Sequence, residues 1–221
     1  MILSMPSTVP AEQNDSLPSD LASRIAFRTL SRRGADYADE VRRLLDAAMV
    51  VMRRCGTDSR PRVADIVAEA GLSNDAFYRY FPSKDALVAA ILEDGTERLL
   101  SYLAHQMAKE KAPEAKVRRW VEGVLAQAAD EEIAATTLAV LWNGSSVGEG
   151  LPSASRPLGA LLREPFAELG SPNPDLDADF VAHAVVGMMS SLLWERARPS
   201  RGDVAHMVER CLAVARAGGG A

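Results

Sequence analysis

Between residues 73 and 84 the chain gathers side chains suited to reading a nucleic-acid duplex: Ser73, Asn74, Asp75, Tyr78, Arg79, Tyr80 and Lys84. An asparagine amide can pair with adenine and a guanidinium with guanine, while a tyrosine hydroxyl can donate to a phosphate oxygen. Asp75 can accept from cytosine N4, or simply favour the positive end of a helix. Other chemistry is poorly served. His105, His183 and His206 lack carboxylate or cysteine companions at metal-ligand spacing, so no metal site is expected. Cys55 and Cys211 lie far apart and read as buried small hydrophobes of a reducing compartment. The run Asn143-Gly144-Ser145-Ser146-Val147-Gly148-Glu149-Gly150 reads as a flexible loop but lacks the Gly-Lys-Ser/Thr ending of a phosphate loop. No nucleophile and base fall together on one face, so neither an enzyme nor a cofactor is expected.

These side chains need a scaffold that holds them outward. Two short helices are expected within residues 62 to 81, meeting at Ala70-Gly71-Leu72, where Gly71 can take a positive φ and Ser73 can cap the second helix. Ile66, Ala70, Leu72, Phe77 and Tyr80 then share a small core with a preceding helix, leaving Ser73, Asn74, Asp75, Tyr78 and Arg79 near the end of a helix that can enter a major groove. That preceding helix is read over residues 36 to 54, where Val41, Leu44, Leu45, Ala48, Val51 and Met52 fall at helical spacing and Gly56 ends the pattern. Ser83-Lys84-Asp85 caps a long helix reaching about Lys109, and Ala112-Pro113 breaks the chain.

Further helices are expected over 114 to 129, 131 to 142, 155 to 169, 176 to 198 and 203 to 217, separated by Pro/Gly breaks. No strand-like alternation occurs. The fold class is therefore all-α, of about nine helices: a three-helix helix-turn-helix domain at residues 36 to 84, then a larger helical domain over 85 to 221. Residues 1 to 20 are rich in Pro, Ser, Asn and Asp and read as a tail. The segment 21 to 34 holds four arginines and reads either as a basic amphipathic arm or as a solvated linker, so residues 1 to 35 together form a flexible N-terminal arm.

The overall charge of −5 looks wrong for a partner of nucleic acid until it is divided along the chain. Residues 1 to 20 carry −3, residues 21 to 85 carry 12 Lys/Arg against 9 Asp/Glu, a net of +3, and residues 86 to 221 carry 13 against 18, a net of −5. A basic front can face phosphate while the acidic rear stays away. No stretch reaches the roughly 18 uninterrupted apolar residues of a membrane-spanning helix. The first residues show no basic n-region and no apolar h-region. A soluble, cytoplasmic protein is expected.

The string Ala70-Gly71-Leu72-Ser73-Asn74-Asp75-Ala76-Phe77-Tyr78-Arg79-Tyr80-Phe81-Pro82-Ser83-Lys84-Asp85-Ala86-Leu87, preceded by Val63-Ala64-Asp65-Ile66, closely resembles the N-terminal signature of the tetracycline-repressor (TetR) family. The resemblance implies a homodimer whose recognition helices, residues 73 to 80, address the two half-sites of a roughly palindromic operator on double-stranded DNA. It puts Tyr78, Tyr80 and Lys84 at positions that meet phosphate, and the start of the recognition helix at positions that read bases. It also implies a rear domain that binds a small-molecule inducer, for which Met107, Trp120, Val124, Trp142 and Phe166 are the candidate pocket residues. The last two helices would pair with their mates, through Val181, Val185, Met188, Leu192 and Trp194, with Gly187 permitting close approach. The expected role is a repressor released from its operator when the inducer binds.

Three departures from the family pattern matter. Pro61-Arg62 stands where the family often has Thr, so Arg60 or Arg62 must replace a hydroxyl contact to phosphate. Val67 replaces a usual Ala between the two helices and is expected to open the hairpin slightly, and Asp75 puts a negative charge on the reading face. A second reading makes the rear domain a protein-interaction module with no small ligand.

Overall fold

The computed structural model describes residues 21–144 and 154–216, with side chains from Gly34 onward. The expected N-terminal tail over residues 1–20 lies outside the described residues, as do the side chains of the four arginines between 21 and 34 and residues 145–150 of the expected loop, whose first two residues, Asn143 and Gly144, are helical. Ten helices and no strand occur among the described residues: α1 (Leu21–Cys55), α2 (Val63–Ala70), α3 (Asn74–Tyr80), α4 (Lys84–Met107), α5 (Pro113–Ala129), α6 (Glu131–Gly144), α7 (Ser155–Ala160), α8 (Arg163–Glu168), α9 (Pro174–Glu195) and α10 (Arg201–Arg216).

Helix ends shift by up to three residues from the sequence-based expectation in α6, α9 and α10, and two differences are larger. The first helix starts at Leu21 rather than near Asp36, so residues 21 to 35 carry helical backbone. The segment 155 to 169 is two short helices rather than one. Pro165 explains the second difference: it has no N–H to continue a helix through Leu161, yet fits the first turn of a new one, where that donor has no intrahelical partner.

The chain divides into two compact units, residues 1–42 and 43–221. In the first, Arg42 pairs with Asp39 one turn earlier, and Tyr37 is exposed. In the second, α1 contributes a stripe of Leu44, Ala47, Ala48, Val51 and Met52, all buried at the spacing of one helical face. The centre of this unit is α5, against which α4, α6, α8, α9 and α10 pack. Its buried residues Val117, Trp120, Val121, Val124, Leu125 and Ala128 form one continuous face. Gly123 lets α4 approach closely, since a Cβ there would collide with the tip of Leu103.

Two free cysteines sit in contrasting places. Cys55 is half-buried, whereas burial pushes the Cys211 thiol up to about 12. Alkylation proceeds through the thiolate. Iodoacetamide near about pH 8 should therefore label Cys55 in the native chain and Cys211 only after denaturation, as read by peptide mass spectrometry. Labelling of native Cys211 at the rate of Cys55 would contradict the burial described.

Candidate nucleic-acid interface

The turn between α2 and α3 is built by backbone groups. Gly71 adopts φ 62 and ψ 38, the left-handed region that favours glycine. Its N–H donates to the Ala68 carbonyl at 3.2 Å, and the Leu72 N–H to that of Val67 at 2.9 Å. Val67 is itself buried in the hairpin, alongside Ile66 and Ala70. A clamp from outside completes the turn: Arg43 of α1 donates to the carbonyls of Ala70 and Gly71, the latter at 3.2 Å. Gly71→Ala is expected to cost about 1–2 kcal/mol through left-handed strain. Its new Cβ would also stand 3.0 Å from the Arg43 guanidinium. Urea unfolding measures this; an unchanged midpoint would contradict it.

Ser73 caps α3, its Oγ accepting from the Ala76 N–H at 3.1 Å, and Ser83 caps α4 by the same bond from Ala86 at 3.1 Å. Phe77 is wholly buried, with Phe81 5.9 Å and Tyr78 5.2 Å away between ring centroids. With Ala76 and Phe77 turned inward, the opposite face must point out. Ser73, Asn74, Asp75, Tyr78 and Arg79 are all exposed, while Tyr80 and Lys84 are half-buried. The Arg79 guanidinium lies over the Tyr80 ring, 5.7 Å from its centroid, a cation–π distance that holds both in place. The seven expected side chains from 73 to 84 are thus gathered along one short helix and its two ends.

Arg62 is differently placed. It precedes α2 without capping it, and its guanidinium forms a two-pronged pair with Asp65, Nε to Oδ2 at 2.9 Å and Nη2 to Oδ1 at 3.1 Å. The hydrogen bond raises the Arg62 pKa further and holds the Asp65 carboxyl below its ordinary range. A phosphate there has to share Arg62 with Asp65. Arg60 is exposed nearby. The clamp by Arg43 was missed in sequence; its only signal was a basic residue on an amphipathic helix, with nothing to indicate a partner 27 positions away.

Behind α4 lies a cavity of about 580 Å³, lined among others by Asp46, Asp94, Arg98, Tyr102 and Glu132. It shares Met49, Ile91, Gly95, Leu99, Gln127, Thr136 and Thr137 with an inner chamber of about 190 Å³, whose further walls include Leu141, Leu158, Val186 and Met189. The five residues expected to line a pocket fall elsewhere. Trp120, Val124 and Phe166 are fully buried and Met107 nearly so, in the core packed around α5. Trp142 packs edge-on against Trp194, 5.8 Å between centroids. Large aromatics fill space, and the chamber opens where smaller residues leave it.

Along α9 the five expected interface residues divide by face. Val181 and Val185 are buried within the chain, Leu192 is half-buried, and Met188 and Trp194 are exposed by 44% and 46%. Leu176 and Phe180, not singled out in sequence, are exposed by 64% and 62% and join Met188 and Trp194 in one apolar stripe. By length and apolarity α9 also resembles a membrane-crossing helix, although a third of it is buried within the fold. Among the described residues no three His, Cys, Asp or Glu side chains gather as a metal site would require.

Residues 44–91 match the profile of the family described as bacterial regulatory proteins, tetR family. No match is found among curated proteins. Solved structures share the fold at low identity. A Mesorhizobium loti protein assigned to the TetR-family transcriptional regulators superposes with a TM-score of 0.59 at 16% identity, covering 82% of this chain and 95% of that one. The transcriptional regulator FadR from Bacillus subtilis, in complex with stearoyl-CoA, gives 0.53 at 15% identity, covering 80% and 97%. RolR in complex with resorcinol gives 0.55 at 19% identity, covering 83% and 94%. The matched segment holds α2, the glycine turn and α3, the elements that present the outward side chains, and the remaining helices follow the same architecture. Residues 44–91 are thus similar to the tetR family of bacterial regulatory proteins, and the chain as a whole shares the fold of these solved structures.

Proposed function

We propose that the chain is a cytoplasmic homodimeric repressor that holds a roughly palindromic operator through paired α3 helices and releases it when a small molecule enters the cavity behind α4. The observation that carries this reading is the outward set Asn74, Asp75, Tyr78 and Arg79 on a helix locked by the buried Phe77. Residues 36 to 84 act as the DNA-reading domain and residues 85 to 221 as the ligand-binding and dimerising domain. Ser73, Tyr78, Tyr80 and Lys84 anchor phosphate, with Arg62 assisting once shared with Asp65, while Asn74, Asp75 and Arg79 address base edges. The stripe of Leu176, Phe180, Met188 and Trp194 meets its mate across a two-fold axis, an interface that reuses one patch on both subunits.

The cavity suits a ligand because its chamber is mostly apolar with a few polar groups. Thr96 and Thr136 already donate to backbone carbonyls of their own helices, at 2.8 and 2.9 Å. Gln127 and Thr137 remain to orient a guest. The walls belong to α4, which begins with Lys84 beside α3, and to α1, whose Arg43 clamps the turn. A guest that favours a displaced α4 shifts the population away from the DNA-binding arrangement.

The test is a gel-shift with DNA flanking the protein's own gene, repeated across salt concentrations. Affinity should fall steeply as salt rises, because phosphate contacts release counterions. Arg79→Ala should weaken specific binding by about 1–3 kcal/mol, and Tyr78→Phe should weaken it evenly across sequences. Binding insensitive to salt would sink the DNA half of the reading. A metabolite panel tests the other half, since an inducer should raise the melting temperature and release the DNA.

A further inference from the structure

A second cleft lies on the side of α9 away from its exposed apolar stripe. The stripe residues Phe180, Met188 and Trp194 and the cleft residue Leu193 fall on different faces at about 100° per residue. The floor is apolar and buried, made by Ala128, Leu138, Ala139 and Leu193, and the space measures about 360 Å³. Arg53, Arg196 and Arg198 stand around it. Glu131 is the one carboxylate in the lining, so cations outnumber anions over an oily surface.

The three arginines are not equally engaged. Arg53 pairs with Glu132 at 3.1 Å and Arg198 with Glu131 at 2.7 Å, but both carboxylates are more than four-fifths exposed, so these are surface pairs that a buried anion can outcompete. Arg196 donates instead to a neutral group, the Thr57 hydroxyl, at 3.2 Å. Its backbone is the odd feature. It ends α9 with φ 53 and ψ 33, the only non-glycine residue in the left-handed region among those described. Glycine is the usual occupant of that position, and the closing bonds to Leu192 and Leu193 are made by the backbone alone. The helix end therefore has no use for this side chain. Its guanidinium, with five donors in a fork that matches a carboxylate, is held at the mouth of the cleft.

We propose that this cleft binds an amphipathic organic carboxylate, its apolar body on the alanine and leucine floor and its two oxygens in the fork of Arg196, with Arg53 and Arg198 supplying further charge. The site is separate from the cavity behind α4 and adds a second ligand class to the proposed function. Its occupant takes Arg196 from Thr57, in the segment leading from α1 into α2, so it acts on the approach to the DNA-reading helices.

Isothermal titration of the full chain with sodium decanoate, decan-1-ol, sodium acetate and inorganic phosphate, each below any micellar concentration, tests the proposal. Decanoate should bind roughly tenfold or more tighter than each of the others, because charge and apolar body act together. Arg196→Gly should melt at or above the parent temperature, being freed of left-handed strain, and yet lose roughly tenfold or more in decanoate affinity. Ala135→Trp, which fills the cleft from an exposed position, should do the same. The proposal is overturned if decan-1-ol matches decanoate, if acetate or phosphate binds as tightly, if either variant keeps the parent affinity, or if decanoate gives no binding heat.

Discussion

Replacing Trp120 by alanine should destabilise the chain by about 3–5 kcal/mol, the usual loss when a buried aromatic is truncated. The indole is fully buried on the central helix α5, and its Nε1 donates to the Leu158 carbonyl of α7 at 2.9 Å. Truncation leaves both a void and an orphaned carbonyl, two separate penalties. Trp120→Phe keeps much of the packing and should lose only about 1–2 kcal/mol. Urea unfolding reads both as a lower midpoint at constant slope. A loss under about 1 kcal/mol for the alanine variant, joined to an altered inducer response, would return Trp120 to the ligand wall.

Phe180→Glu should break the proposed homodimer. Phe180 is 62% exposed in the single chain, in a stripe that includes Leu176, Met188 and Trp194. Large apolar side chains in one contiguous exposed patch mark a surface that another protein covers. A carboxylate placed there twice, facing itself across a two-fold axis, adds desolvation and like-charge repulsion. Analytical ultracentrifugation should show monomer, with a native circular dichroism spectrum because the side chain packs against nothing in its own core. Operator affinity should fall by about 10²-fold or more, since two linked recognition helices bind far better than one. A variant that stays dimeric and keeps its affinity would place the interface elsewhere.

The helix-turn-helix hairpin was legible in sequence because its rules are local. Gly71, Ser73, Phe77 and Ser83 each act within four residues of their own position, through a turn, a cap or a helical face. The long helices α4, α5, α9 and α10 were legible for the same reason, from apolar spacing and Pro/Gly breaks. The cavity proposed to take a ligand was not. Its walls are Met49, Gly95, Gln127 and Thr137, brought together only by the packing of four helices, and the large aromatics that drew attention are the residues that close space rather than leave it. The stripe on α9 was half visible: Met188 and Trp194 were picked out with Val181 and Val185, which face the chain's own core. Apolarity alone does not tell which side of a helix faces inside. Arg196 was invisible for a further reason, since nothing in an arginine's identity announces a left-handed backbone.

The division of labour along α3 carries a consequence for how such a protein can change. Stability at this hairpin rests on Ile66, Phe77, Phe81 and the Arg43 clamp, while Asn74, Asp75, Tyr78 and Arg79 are exposed, the last two leaning on the rings of Phe77 and Tyr80. Substitutions at exposed positions away from the core usually change stability little. The outward positions can therefore be exchanged, singly or together, without unfolding the scaffold. On the proposed function, a lineage, or an engineer, can retarget this hairpin to a new DNA sequence by small steps, each leaving a foldable intermediate.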